Sequence, residues 1–120
     1  MLIALASCIL LSGCPVPITH YSDAGTFARA LFRIARERDE DEWSTMLTKA
    51  RRDQGHAYFH PHFEKYHKLI MELEEGPLGG DLTKASFRIQ DGALEFEYES
   101  KWATIFRVEM EDGGWKINQD

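Results

Sequence analysis

Only two cysteines occur in 120 residues, Cys8 and Cys14, and both lie within the first fourteen positions. The rest of the chain therefore has no disulfide framework, zinc ribbon or dithiol redox pair to draw on. Positive charge is also scarce, with 14 Lys and Arg against 20 Asp and Glu and a net charge of −6. That balance excludes broad nucleic-acid binding, which needs a basic footprint to displace counterions. It equally argues against adsorption to anionic lipid by charge alone. No apolar run approaches the roughly 20 residues of a membrane-spanning helix. The nucleophile elbow G-x-S-x-G, the zinc-protease HExxH, the phosphate loop and the dinucleotide fingerprint are all missing. No cofactor is expected, and catalysis is not expected.

The longest apolar stretch present is LIALASCILLSGC, residues 2–14, which carries no charged side chain although 28% of the whole chain is charged. Its length suits the hydrophobic region of a secretory signal. Its end, Leu11-Ser12-Gly13-Cys14, resembles a bacterial lipobox: a branched apolar residue, two small ones, then cysteine. The resemblance implies cleavage between Gly13 and Cys14, a diacylglycerol on the Cys14 thiol, and acylation of the new amino group. Leu5-Ala6-Ser7-Cys8 fits the same pattern but leaves only four residues before it, so Cys14 is preferred. No Lys or Arg precedes the run, so either the terminal amine supplies the positive end or the true start lies upstream. A buried core helix of a cytosolic protein is the alternative, but the run has no polar face and no helix cap.

The expected division is therefore a signal peptide over 1–13, a lipidated cysteine and tether over 14–21, and a folded domain over 22–120. Each buried methylene contributes about 0.8 kcal/mol, so two or three acyl chains hold a protein on a membrane essentially permanently. Pro15 follows the cysteine, where an Asp would imply inner-membrane retention. The resemblance thus implies the outer membrane in a cell with two membranes, and otherwise the outer face of the cytoplasmic membrane. With Pro15 and Pro17 favouring an extended tether, the domain is expected within about 20–25 Å of the bilayer.

The remaining 43%-hydrophobic chain is patterned for one α+β domain. Phe27, Leu31, Ile34 and Ala35 recur at helical spacing after Ser22 or Asp23, either a good N-cap, with Arg29, Arg33 and Arg36 on the opposite side. Asp39-Glu40-Asp41-Glu42 reads as a break and a new helix start, where negative charge is favoured. The second helix is expected to turn Trp43, Met46, Leu47 and Ala50 inward and to end near Gly55. Residues 56–62 read as a connection, with Pro61 in the first turn of a third helix that buries Phe63, Tyr66, Leu69, Ile70 and Leu73. From residue 85 the period becomes two. Phe87 and Ile89, then Leu94, Phe96 and Tyr98, then Trp102, Thr104, Phe106, Val108 and Met110 read as the inward positions of a meander of about four strands. Asp91-Gly92 and Asp112-Gly113-Gly114 are its turn signals, and Trp115 and Ile117 open the last strand. A sheet with one greasy face needs helices to cover it.

This order of elements resembles the NTF2-like (cystatin-like, α+β cone) superfamily, especially its small bacterial lipoproteins. The resemblance rests on Phe27-Ala28-Arg29-Ala30-Leu31, on the acidic break before Trp43, and on the closing run from Arg107 to Ile117. It implies a cone-shaped body over residues 22–118. The family usually has further strands between its second and third helices, for which residues 52–60 leave little room.

Two chemical features stand out. His56, His60, His62 and His67 fall within twelve residues, so four of the five histidines cluster. Imidazole is the commonest transition-metal ligand, and a zinc or copper site could draw on His60 and His62 with His56, His67 or Glu64. The plainer alternative is an aromatic, partly exposed helix entrance. The inward positions of the strands carry no carboxylate or imidazole for acid–base work on a pocket. Trp43, Trp102, Phe106 and Trp115 could line a ligand pocket, but such residues more often fill a core. The adopted expectation is a non-catalytic, membrane-anchored domain that binds an envelope protein or a small apolar ligand. A metal-binding or NTF2-like enzymatic domain is its alternative.

Overall fold

The computed structural model describes residues 18–119. Gly13, Cys14, Cys8 and the expected signal segment lie outside the described residues. Helix α1, Ala24–Glu37, opens at Asp23, whose carboxylate accepts from the Thr26 N–H at 2.9 Å. That bond satisfies one of the donors a helix start leaves unpaired. Its buried side holds Phe27, Leu31, Ile34 and Ala35, joined by Phe32. The helix ends where Arg38 takes a left-handed conformation, φ 53°, and its N–H returns to the carbonyls of Ile34 and Ala35.

Asp39 caps α2, Glu40–Thr45, through the Glu42 N–H at 3.0 Å. A single helix through Ala50 is not what forms. The Ile117 N–H donates to Met46 O at 2.7 Å, and the Thr48 N–H donates to Ile117 O at 3.0 Å. Residues 46–48 thus make a short parallel bridge to the last strand. Strand pairing and helical pairing compete for the same backbone groups, so the helix stops and a separate turn, α3, Lys49–Arg52, follows. Ala50 is consequently exposed, not buried.

Helix α4, His56–Glu75, starts five residues before Pro61, so the expected connection over 56–62 is helical. Proline tolerates this place because the turn that loses its hydrogen bond lies at the exposed start of the helix. Phe63, Tyr66 and Ile70 are buried on α4, while Leu69 and Leu73 are half-buried.

After a 3₁₀ turn, Leu82–Lys84, come β1, Phe87–Gln90; β2, Ala93–Tyr98; β3, Lys101–Glu111; and β4, Gly114–Ile117. They form one antiparallel sheet in the order β1-β2-β3-β4. Every connection is a two-residue turn with both residues at positive φ: Asp91-Gly92, Glu99-Ser100 and Asp112-Gly113. Such turns match the twist of the strands they join. The fold is α+β, with helices first and the antiparallel sheet second; among the described residues the helices number four.

The sheet departs from simple alternation at one place. Leu94 pairs with Phe106, but Glu95 pairs with Thr104, leaving Ile105 as the extra residue of a bulge. A bulge exchanges the two faces of a strand. Phe106 and Val108 keep the expected inward position, and Ile105 is buried as well. Before the bulge the faces are swapped: Ala103 lies opposite the buried Phe96, and Trp102 lies opposite Glu97. Trp102 and Thr104 therefore share the acidic face, which corrects the expectation that both point inward. Tyr98 and Met110, also expected inside, are 45% and 46% exposed.

The core sits between the sheet and helices α1, α2 and α4. Trp43 is its centre, fully buried, with ring centroids of Phe63, Tyr66 and Phe106 at 5.6, 6.4 and 6.3 Å. Part of the expected tether is built into this body. Tyr21 O accepts from the Trp115 N–H at 2.7 Å, and Ser22 O accepts from Trp115 Nε1 at 3.1 Å. A side chain at Gly114 would meet His20 backbone at 2.9 Å, so glycine is what lets the strand approach this closely.

Candidate functional site

The clustered histidines do not converge as a group of four. His62 is buried and fully committed. Trp43 Nε1 donates to its Nδ1 at 3.1 Å, and its Nε2 donates to Gln119 O at 2.6 Å. These two bonds occupy both ring nitrogens and leave neither for a metal. His67 lies elsewhere on α4, against the Phe63 ring and 3.3 Å from Arg38 Nη1. Glu64 pairs with Arg38 at 2.8 Å.

His56 and His60 do come together. They stand one turn apart on α4, with ring centroids 5.4 Å apart and planes inclined by 16°. The third member is Glu40, at the start of α2, which hydrogen-bonds His60 Nδ1 through Oε1. Ligand atoms of Glu40, His56 and His60 lie within 4.8 Å of one another. Both histidines are exposed and Glu40 is half-buried. Sequence reasoning had the two histidines and missed the carboxylate. Its only local sign was the acidic run Asp39–Glu42, readable as a helix start and nothing more.

A shallow surface cleft of about 400 Å³ adjoins this group, lined by Glu37, Arg38, Asp39, Glu40 and Asp41. A second, of about 280 Å³, lies along α4 between Ala57, Tyr58, Pro61, His62 and Lys65.

Two arginines of the stripe, Arg33 and Arg36, are held in ion pairs. Arg33 holds Glu42 at 2.6 Å and Glu37 at 3.1 Å, Arg36 pairs with Glu74, and Lys49 pairs with Asp53 at 2.7 Å. Bonding to Glu42 raises the Arg33 pKa further, so its charge is permanent. Hydrogen bonds from Thr26 hold Asp23 below the usual carboxylate range, and Lys49 does the same to Asp53.

Among the aromatic candidates, Trp43 and Phe106 are buried in the core, and neither lines the two clefts described above. Trp115 is half-buried, its indole N–H tied to Ser22. Trp102 lies under the Arg88 guanidinium, 4.3 Å from ring centroid to Cζ, while Arg88 Nε bonds Glu95 at 2.7 Å. This is an ordered cation–π stack on the outer face of the sheet.

One buried titratable group went unnoticed in the sequence. Lys116 is 1% exposed, and its ammonium donates to Thr45 O at 3.1 Å and Thr19 O at 3.4 Å. Burial pushes its pKa down, and neighbouring Arg52 adds to the effect; Glu111 and Asp112 oppose it. Strand alternation places it opposite Glu109, as an outward residue. The docked segment around Thr19 and the end of α2 then cover it.

No known family, curated protein or solved structure matches this chain. The reading of its function therefore rests on its residues and its geometry.

Proposed function

We propose that this chain is a lipid-anchored protein of the bacterial cell envelope, and that its NTF2-like α+β body is a binding domain held close to the membrane. The observation that carries this reading is the spacing between the lipobox and the fold. Cys14 ends the Leu-Ser-Gly-Cys sequence, and by Thr19 the backbone already lies against Lys116 of β4. The intervening residues 15–18 span about 12 Å when extended. That is shorter than a tether running to residue 21, so the corner of the domain formed by β4 and the start of α1 faces the lipid.

Binding is favoured over catalysis by what occupies the interior. The interior between helices and sheet holds Trp43 in ring contact with Phe63, Tyr66 and Phe106, and Tyr66 in contact with Phe106. The two buried titratable groups described above, His62 and Lys116, spend their polar atoms on the fold. The partner is then an envelope protein or a small apolar ligand that meets the surface.

The anchor is tested by detergent phase separation of the full chain expressed in a bacterium with lipoprotein-processing enzymes. Wild type and Cys8→Ser should enter the detergent phase, whereas Cys14→Ser should stay in the aqueous phase. Partition of Cys14→Ser with the detergent would overturn the reading.

A further inference from the structure

We infer that Glu40, His56 and His60 form a surface site for one late first-row divalent ion, Zn²⁺ or Cu²⁺. The inference is independent of the membrane anchor.

Three features support it. First, the donor set is chemically apt, since two imidazoles and a carboxylate suit these ions. Second, the ligands come from two elements that the core already holds together. His56 and His60, four residues apart, share one face of α4. Glu40 is fixed opposite them because α2 is anchored by the buried Trp43, which packs on Phe63 of α4. Third, the donors are nearly close enough. Tetrahedral zinc with bonds of about 2.0–2.1 Å requires donor atoms about 3.4 Å apart. Here they lie within 4.8 Å of one another. The His60 and Glu40 side chains, 48% and 29% exposed, have room to close that gap by rotation.

The ion would take the place of the hydrogen now shared between His60 Nδ1 and Glu40 Oε1, with any displaced proton passing to solvent. Its remaining coordination is water, because the site is open. The dipole of α4 opposes a cation at this end of the helix. The carboxylates of Asp39 and Asp41 beside Glu40 act the other way, raising the local cation concentration. His62, two positions from His60, cannot join, since both of its nitrogens are bonded inside the fold.

The test is calorimetric titration of the tag-free full chain, in detergent, with Zn²⁺ and separately with Cu²⁺. Wild type should bind one ion per chain. His56→Ala and His60→Ala should each weaken binding about tenfold or more, and Glu40→Gln by about threefold or more, as loss of one of three ligands requires. His67→Ala should leave the affinity unchanged. Unaltered far-UV circular dichroism would establish that each variant is folded. Absence of saturable binding in folded wild type, or binding that survives the His56→Ala/His60→Ala double change, would overturn the inference.

Discussion

The inner and outer faces of α4 each carry histidine, and the two faces use it differently. On the inner face, His62 is enclosed between Trp43 and the carbonyl of Gln119, and acts as a polar staple joining α2, α4 and the end of the chain. On the outer face, His56 and His60 stand in solvent with Glu40 as their neighbour. Two positions along the helix separate a core residue from a candidate ligand. What decides between them is the rotation of about 100° per residue, which turns His62 onto Trp43 and leaves His60 outside.

This contrast is sharpened most by removing the core residue on which the inner face of α4 packs. Trp43→Ala should cost about 3–5 kcal/mol, as for other fully buried large aromatics, measured by urea unfolding. A loss under about 1 kcal/mol would mean that the inner face is not the core. His62→Ala comes next, at about 2–3 kcal/mol, because it opens a cavity and leaves the Trp43 N–H unpaired.

Lys116 offers a smaller, pH-dependent version of the same comparison. Its pKa is lowered in the folded state, so folding disfavours its charged form. The folded protein thus binds fewer protons than the unfolded chain between the lowered value and the ordinary one near 10.5. Stability should rise with pH across that window as the penalty is relieved. Lys116→Met should lose that rise relative to wild type; parallel curves for the two proteins would contradict it. The smallest effect belongs to the outer face. His60→Ala should change stability by no more than about 0.5 kcal/mol, since exposed ion pairs contribute little.

Much of the fold was legible where local signals act alone. Asp23 and the period of Phe27, Leu31 and Ile34 mark α1, and the Asp-Gly pairs at 91–92 and 112–113 mark two of the three turns. The third turn, Glu99-Ser100, places two non-glycine residues at positive φ and carries no such sign. Legibility ended where a distant partner decides. The end of α2 depends on Ile117, which takes up the backbone of Met46 and Thr48. The face on which Trp102 lies depends on the bulge at Ile105, which follows from pairing with β2. The candidate site shows the same division. Both outer histidines were visible by type, but their pairing was hidden because residues 56–62 read as a connection, and Glu40 joins them only through the packing of two helices.

The proposed membrane placement of the domain turns on Cys14, and intact-mass spectrometry of the protein from bacterial membranes addresses it most directly. The account predicts a chain that begins at Cys14 and carries the added mass of a diacylglycerol, with or without a further acyl group. A chain that retains residues 1–13 and a bare Cys14 thiol would contradict it.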